Sequence, residues 1–221
     1  DDSSRRYKLG IRLFELGSAA IHERGLYGAA QPALEQLSRA TGETCHLAVL
    51  SGSEAVYVYK VDGPSSIIMS SRVGGRAPVH ATSIGKVLTA WASPELIAQV
   101  RRAPMKASTA HTITSLKEFD EALEKIREDG YALDLEEFED GLRCIAAPVR
   151  DQSARVVAAL GIAGLEAGIE NAARFQRAPD QLQDLRKLVP RDMQQARIGP
   201  DPIIGLDLVE VAATADPPVC R

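Results

Sequence analysis

The sequence predicts an α/β protein in which a mainly antiparallel central sheet is flanked by helices. Apolar residues recur at helical spacing on both sides of a strand-rich central region. The predicted strands are separated by short turn sequences, which are typical of hairpins and pair neighbouring strands antiparallel. No GxGxxG or P-loop motif opens any of the predicted helices, so a Rossmann fold is not expected.

The composition of the 221-residue chain fits one large or two small soluble domains. Hydrophobic residues make up 45% and charged residues 25%, which is ordinary for a globular protein. No stretch approaches the roughly 20 apolar residues that a membrane-spanning helix needs, and the first residues do not resemble a signal peptide. We therefore expect a cytoplasmic protein without a membrane partner.

The charge and cysteine content exclude several classes of function. Lys and Arg number 26 against 30 Asp and Glu, which gives a net charge of −4, whereas a free-standing DNA-binding domain usually carries a basic surface. We therefore expect no DNA binding by this chain alone. The three cysteines lack CxxC spacing, so neither a disulfide framework nor a zinc site is indicated. No metal or other cofactor is expected.

Two helices are predicted before the first strand. Apolar residues at positions 9, 13, 16 and 20 lie on one face of a first amphipathic helix, which ends near Gly25. A second helix is predicted to begin near Ala29, with Pro32 in its first turn, because proline suits that position. It should end at Gly42, which tolerates a left-handed backbone.

The centre of the chain predicts a hairpin, a third strand and a helix. Residues 45–50 and 55–61 are rich in β-branched and apolar side chains, and Ser51-Gly52-Ser53 between them supplies turn chemistry. Residues 66–71 are predicted as a strand, and residues 78–80 as a further extended segment. A helix should then start at residue 82 or 83.

The remaining helices carry recognisable capping residues. Ser93-Pro94-Glu95 predicts the start of a short helix that reaches residue 102. Ser115 and Glu118 have capping-box spacing, and an apolar face follows until Asp129-Gly130 ends the helix. Strands are predicted at residues 131–135, 143–149 and 155–162, the last two joined as a hairpin, and a closing helix between residues 179 and 190.

Four stretches, read in order, resemble the C-terminal domain of the IclR family of bacterial transcription regulators. The match covers roughly residues 7–164, and the order and spacing of the motifs make it more specific than any one of them. The stretches are Tyr7-Lys8-Leu9-Gly10; Thr41-Gly42-Glu43-Thr44 followed by Leu47-Ala48-Val49; His80-Ala81-Thr82-Ser83-Ile84-Gly85-Lys86; and residues 134–137 leading to Gly141-Leu142-Arg143-Cys144-Ile145-Ala146-Ala147-Pro148-Val149.

The resemblance implies a GAF/PAS-like sensor fold that binds a small organic effector, often a carboxylate or an aromatic compound. It also implies a homodimer or homotetramer, and binding of operator DNA through a winged helix-turn-helix domain that precedes this region. On that basis we assign residues 1–25 to a linker helix from an absent N-terminal domain and residues 26–198 to the effector-binding domain. Residues 199–221 are Pro-rich and are predicted to form a loosely attached tail.

The resemblance also implies an effector site. Backbone N–H groups near the start of the helix at residue 83 would hold an anion, and a carboxyl and a thiol would hydrogen-bond polar groups of the effector. A methionine and a leucine would add an apolar wall. The effector-binding candidates are Met69, Ser83, Ile84, Gly85, Asp134, Leu142, Cys144, Gly161 and Ala163.

Structural roles compete with these assignments. Thr82 or Ser83 can simply cap the helix, Asp134 can be a solvated loop carboxylate, and Cys144 can be a small apolar residue on a buried strand. Gly161 and Ala163 stand where well-described small-acid sensors of the family carry serines. Their small side chains leave space, which favours a larger and more apolar effector.

Three functions therefore compete. The first is ligand-responsive regulation. The second is an enzyme in which Cys144 is the nucleophile, His46 or His80 the base and Asp134 the residue that orients it. The third is a dimerisation module with a vestigial pocket. The histidines show neither HxH nor HExxH spacing, so a metal site is not favoured.

Overall fold

The computed structural model describes residues 10–13, 15–17, 26–64, 71–151 and 153–165. Within these ranges one helix directly precedes three strands, and three further helices separate these from the last three strands. No described helix is both long and apolar enough to cross a membrane. The elements are α1 (Leu26–Thr41), β1 (Thr44–Ser51), β2 (Glu54–Val61), β3 (Arg76–Pro78), α2 (Ser83–Ala90), α3 (Pro94–Arg102), α4 (Leu116–Asp129), β4 (Ala132–Leu135), β5 (Leu142–Arg150) and β6 (Val156–Leu165).

The six strands form one antiparallel sheet in the order β3-β2-β1-β6-β5-β4. β1 and β2 form one hairpin and β5 and β6 form another, as the turn sequences predicted. Pairing between β1 and β6 joins the two hairpins into a continuous sheet. The predicted α/β architecture with a mainly antiparallel sheet is therefore confirmed.

The sheet buries both of its faces because the side chains of a strand alternate between them. One face packs against α1, where Leu34 and Leu37 meet Leu47 of β1 and Ile145 of β5. The other face packs against α2 and α4, and Phe119 of α4 is fully buried there. The cavity described below lies on this second face.

Helix α1 begins at Leu26, earlier than the sequence predicted, so Pro32 lies inside the helix and not in its first turn. Leu26 and Ala30 are both buried against the sheet. This packing extends the helix in the N-terminal direction even though Pro32 cannot donate a backbone hydrogen bond within it. The predicted end is confirmed, since Gly42 has φ of 75° and donates its N–H to Ser38.

The capping residues start the helices where the sequence placed them. Thr82, Ser93 and Ser115 are the N-caps of α2, α3 and α4, and each accepts a hydrogen bond from the backbone N–H three residues later. Gly130 ends α4 in the left-handed conformation. The predicted apolar face of α4 is buried at three positions, but Leu116 is 44% exposed because it stands at the first position of the helix.

The first predicted helix lies only partly within the described residues. Residues 11–13 and 15–17 are helical. Ile11, Leu13 and Leu16 are 55–69% exposed, so their apolar face has no cover among the described residues. The assignment of residues 1–25 to a linker stays a prediction. Residues 66–70 of the predicted third strand, the predicted closing helix and the tail lie outside the described residues.

Candidate functional site

A cavity lies between the sheet and the start of α2, and its outer wall is the loop between β4 and β5. It encloses about 90 Å³, several times the roughly 10–15 Å³ that one water molecule needs. The cavity can therefore hold a small organic molecule. Its lining residues are His46, Tyr57, Ser71, Thr82, Ser83, Ile84, Asp134, Phe138, Glu139, Asp140, Leu142, Cys144, Gly161, Ile162, Ala163 and Leu165.

The structure brings most of the predicted site residues together. Seven of the nine candidates line the cavity, on α2, β4, β5 and β6. Met69 lies outside the described residues. Gly85 is described but does not line the cavity.

Gly85 is part of the helix cap. Its N–H donates to Thr82 Oγ1 over 3.2 Å, so the cap already uses this donor, and the same hydroxyl donates to the carbonyl of Pro78 over 2.8 Å. A Cβ at Gly85 would collide with the Cα of Val79 and lie 2.8 Å from its carbonyl oxygen. Glycine is therefore needed here for close packing of the helix start.

Ser83 and Ile84 supply the donors that remain at the start of α2. The first N–H groups of a helix have no acceptor within the helix. Among the described residues nothing accepts a hydrogen bond from the backbone N–H of Ser83 or Ile84. The Ser83 side chain is only 2% exposed and lines the cavity. This end of the cavity therefore offers N–H donors and the positive end of the helix dipole.

Asp134 also lines the cavity and is not a solvated loop carboxylate. It belongs to β4, pairs with Cys144 of β5 and is 1% exposed. Its Oδ1 accepts a hydrogen bond from the N–H of Glu137 over 2.8 Å. Burial raises the pKa of Asp134 to about 7, although this hydrogen bond and the Lys86 ammonium oppose the shift. Near neutral pH the carboxyl therefore exists in both protonation states.

Lys86 and Glu137 join α2 to the loop that carries the cavity wall. Lys86 Nζ lies 2.5 Å from Glu137 Oε1, and the two side chains are only 4% and 12% exposed. Sequence analysis did not single out this pair, although Lys86 belongs to one of the family-like motifs. Lysine is almost never buried unless it is paired. The presence of Lys86 in the apolar helix α2 was therefore the sequence feature that could have indicated an ion pair.

Two threonines hold the same loop from its other side. Thr109 Oγ1 donates to the carbonyl of Glu136 over 2.7 Å, and Thr112 Oγ1 donates to the carbonyl of Glu137 over 2.6 Å. Both contacts connect segments that are far apart in sequence. No local pattern marks these residues, so sequence reasoning missed them. Together with the ion pair they fix the backbone that follows Asp134.

His46, Tyr57 and Ser71 add polar groups to the wall nearest β1 and β2. His46 Nε2 lies 2.7 Å from Ser71 Oγ, and its ring centroid lies 5.0 Å from that of Tyr57. Burial lowers the pKa of His46 to about 4, with a further contribution from Lys60. Burial raises the pKa of Tyr57 well above its ordinary value. Both rings are therefore neutral at physiological pH and act as hydrogen-bonding groups.

Gly161 does not provide the free space that its sequence context suggested. A Cβ at this position would lie 2.8 Å from the side chain of Ile84. The Ile84 side chain therefore already fills the volume that a larger residue would take. The expected gain of space for the effector is not present beside Gly161, and Ile84 forms that part of the apolar wall.

Cys144 and the histidines do not form an activated nucleophile. Burial and the nearby Asp134 carboxyl raise the pKa of Cys144 well above its ordinary value, so the thiol stays protonated. His46 is bonded to Ser71, and His80 Nε2 lies 3.0 Å from the carbonyl oxygen of Lys106. The described residues contain no cluster of His, Cys, Asp and Glu that could hold a metal ion.

Comparisons with known proteins identify the family. Residues 18–189 match the family model of the bacterial transcriptional regulator IclR C-terminal domain. The chain is 42% identical over 168 residues to the HTH-type transcriptional regulator XynR of Escherichia coli strain K12, which covers 76% of this chain and 67% of XynR. The chain belongs to the IclR family, and the matched region is its C-terminal, effector-binding domain.

Solved structures agree with this assignment. IclR of Thermotoga maritima has a TM-score of 0.73 and 33% identity, over 86% of this chain and 77% of that chain. An IclR homologue of Microbacterium hydrocarbonoxydans, solved with 4-hydroxybenzoate, has a TM-score of 0.66 and 29% identity, over 81% of this chain and 76% of that chain. The GAF/PAS-like fold is thereby confirmed. The chain spans 67% of the length of XynR and 53% of the length of KdgR of Dickeya chrysanthemi.

Proposed function

We propose that the cavity binds a small organic effector that modulates DNA binding by the full-length regulator. The observation that carries this proposal is a cavity at the start of a helix whose first two N–H groups lack an acceptor among the described residues. Ser83 is buried and faces the same space. A built cavity with unused donors is the usual form of a small-molecule site.

A carboxylate or an aromatic acid is the effector class that suits this lining. The start of α2 attracts negative charge, because the helix dipole and the N–H groups of Ser83 and Ile84 act together. Leu142, Ala163 and the Ile84 side chain supply an apolar wall. The 4-hydroxybenzoate bound to the Microbacterium homologue is a molecule of this kind.

Regulation follows from a difference in effector affinity between two arrangements of the oligomer. An effector shifts a conformational equilibrium only as far as it prefers one of the two states. The cavity lies between α2 and the β4–β5 loop, so an effector that contacts both changes the free energy of their relative position. We infer that a homodimer or homotetramer transmits this change to an N-terminal domain that holds operator DNA.

An enzyme that uses Cys144 has less support. A nucleophilic cysteine needs a lowered pKa and a base within hydrogen-bond reach, whereas burial raises the pKa of Cys144 and His46 is bonded to Ser71. A dimerisation module with a vestigial pocket is also less well supported, because the cavity retains the buried polar groups of Ser83 and Asp134.

A ligand screen with two variants of Ser83 tests the proposal. The panel holds benzoate, 4-hydroxybenzoate, pyruvate and the neutral amide benzamide. An effector that binds only the folded chain raises its stability by RT ln(1 + [L]/Kd), so thermal unfolding detects binding and calorimetry gives Kd. We expect at least one carboxylate to bind, and the absence of any binding would remove the effector hypothesis for this class.

The variants separate the side-chain donor from the backbone donor. Ser83→Ala removes only the hydroxyl, whereas Ser83→Pro removes the hydroxyl and the N–H. Proline suits the first helical position, and Thr82 with φ of −126° and ψ of 142° has the backbone that a residue before proline needs. Loss of a hydrogen bond to a charged ligand should weaken binding by about ten- to a hundredfold in Ser83→Pro. Equal affinity in the two variants would contradict a backbone anion site.

A further inference from the structure

The described part of the cavity contains no positively charged side chain. Its titratable lining residues are His46, Tyr57, Asp134, Glu139, Asp140 and Cys144. The imidazole, phenol and thiol are neutral near pH 7, which leaves three carboxyl groups. Glu139 and Asp140 are exposed, so solvent screens their charges, whereas Asp134 is buried. A carboxylate effector therefore enters a space that already holds one buried acidic group.

The groups packed around Asp134 offset its charge only in part, since burial outweighs the hydrogen bonds from the backbone N–H groups of Glu137 and Phe138. From α2, the Lys86 ammonium faces it, but Lys86 forms a close ion pair with Glu137 of the loop, so their charges cancel. Cys144 faces it from β5 and Tyr57 from β2, and both are neutral. On β6 the lining is apolar. The second oxygen of Glu137 is buried and lacks a hydrogen-bond partner among the described residues.

We propose that a carboxylate effector binds to this cavity together with one proton, which is taken from solvent and held by the Asp134 carboxyl group. This proposal rests on the proposed effector function and defines the form in which the effector is recognised. Two carboxylates in one buried site repel each other, and a single shared proton removes that repulsion. A protonated Asp134 also becomes a hydrogen-bond donor to the effector.

The empty cavity is already poised for this uptake. Burial raises the pKa of Asp134 to about 7, and a second negative charge nearby raises it further. Below pH 6 the proton is already present, so binding takes up little. Above pH 7 the empty site is ionised, so each effector must bring a proton. Carboxylate affinity should therefore be constant in weak acid and fall by up to about tenfold per pH unit above neutrality.

Calorimetry of the full chain measures the proton directly. Benzoate, 4-hydroxybenzoate and pyruvate are titrated at pH 8 in phosphate and in Tris, two buffers with very different ionisation enthalpies. The difference in binding enthalpy gives the number of protons taken up, which we expect to approach one. Kd is then measured from pH 6 to pH 8.5 for each carboxylate that binds. Benzamide has no charge, so its Kd should change much less over that range.

Two variants assign the proton to Asp134. Asp134→Asn keeps the size of the side chain and supplies a permanent N–H donor, so it should bind carboxylates without proton uptake and with little dependence on pH. Glu124→Gln is the control, because Glu124 is an exposed carboxylate on α4 and does not line the cavity. Its proton uptake should equal that of the unsubstituted chain. Circular dichroism and thermal unfolding establish that both variants are folded.

The outcomes separate this proposal from the proposed function. Carboxylate binding without proton uptake and with a flat pH profile would overturn the proton proposal and leave the effector site intact. Proton uptake that persists in folded Asp134→Asn would overturn the assignment to Asp134. Failure of every carboxylate to bind at any pH would overturn both. If Asp134→Asn does not fold, the buffer and pH data on the unsubstituted chain still decide whether a proton is taken up.

Discussion

The side chain of Ile84 lies directly over Gly161, so that a Cβ at position 161 would be 2.8 Å from both Cγ1 and Cδ1 of Ile84. This contact joins the start of α2 to β6 at the cavity wall. Gly161→Ala should push the Ile84 side chain toward the effector. The atoms that must move are the end of a side chain, so the loss of stability should be small, about 1 kcal/mol.

Effector affinity is the sensitive readout for Gly161→Ala. We expect Kd for the best carboxylate of the panel to rise about tenfold, which corresponds to about 1.4 kcal/mol. Calorimetry and urea unfolding on the same preparation separate the two effects. A large loss of stability with unchanged Kd would mean that Ile84 cannot move toward the cavity.

Gly85→Ala should be far more harmful than Gly161→Ala, because the added Cβ meets the backbone of Val79, which cannot turn away. We expect a loss of about 3 kcal/mol or more in the free energy of unfolding. Gly28→Ala is the control, since nothing lies within 4 Å of a Cβ there. In helix α1, Gly28→Ala should increase the free energy of unfolding by up to about 1 kcal/mol. Urea unfolding of both variants checks the contrast.

Breaking the ion pair of Lys86 and Glu137 should lower the free energy of unfolding, because one charged side chain is then left buried without its partner. Lys86→Met leaves the Glu137 carboxylate buried and unpaired, which should destabilise by about 3–5 kcal/mol. Adding Glu137→Gln to that variant removes the orphaned charge, so the double variant should be more stable than Lys86→Met alone. Urea unfolding of the full double-mutant cycle measures the coupling, and strict additivity of the two changes would contradict it.

The elements of the fold that depend on local chemistry were predictable from the sequence. A cap side chain bonds within three residues of itself, so Thr82 and Ser115 marked the starts of α2 and α4. Turn residues likewise identified both hairpins. Pro32 shows the limit of such reasoning. Proline favours the first turn of a helix, but packing of Leu26 against the sheet starts α1 six residues before Pro32.

The candidate site was predicted only in part, and that part came from the family resemblance and not from local chemistry. Spacing gave no indication that Ser83 and Cys144 line the same cavity, so the resemblance to a family supplied that assignment. Contacts between distant segments remained hidden: Lys86 and Glu137 are 51 residues apart, and His46 meets Ser71 across 25 residues. Burial shifts the pKa values of Asp134 and His46. These shifts were not predictable, because the sequence alone does not show how deeply a side chain is buried.

His46 should destabilise the fold in acid. Burial lowers its pKa in the folded chain from 6.5 to about 4. Between these values the unfolded chain binds the proton and the folded chain does not, so stability falls as the pH drops from about 6.5 to about 4. The full effect is about 3 kcal/mol. His46→Gln keeps a partner for Ser71 and should remove this contribution, whereas His111→Gln, at an exposed position, should not.

Urea unfolding at half-unit steps from pH 4.5 to pH 7.5 tests the His46 contribution. Relative to the unsubstituted chain, His46→Gln should gain stability steadily as the pH falls. A constant difference between the two chains across this range would mean that the imidazole is not kept neutral by the fold.

Asp134 should act on stability in the opposite direction over an overlapping range of pH. Its pKa is raised from 3.8 to about 7 in the folded chain. Between these values the folded chain binds the proton and the unfolded chain does not, so the contribution is complete below about pH 4 and is lost as the pH rises toward 7. The full loss is about 4 kcal/mol. Because it partly cancels the His46 contribution, the pH profile of the unsubstituted chain alone cannot reveal either group.

Asp134→Asn isolates this contribution, because the amide has nearly the same shape and does not titrate. Its stability relative to the unsubstituted chain should rise between pH 4.5 and pH 7.5, the reverse of the trend for His46→Gln. Asp140→Asn is the control, since Asp140 lines the same cavity but is exposed, and its difference should stay nearly constant. Urea unfolding without any ligand gives the measurement. Parallel profiles for Asp134→Asn and the unsubstituted chain would mean that Asp134 ionises normally in the fold and is not ready to take up a proton with the effector.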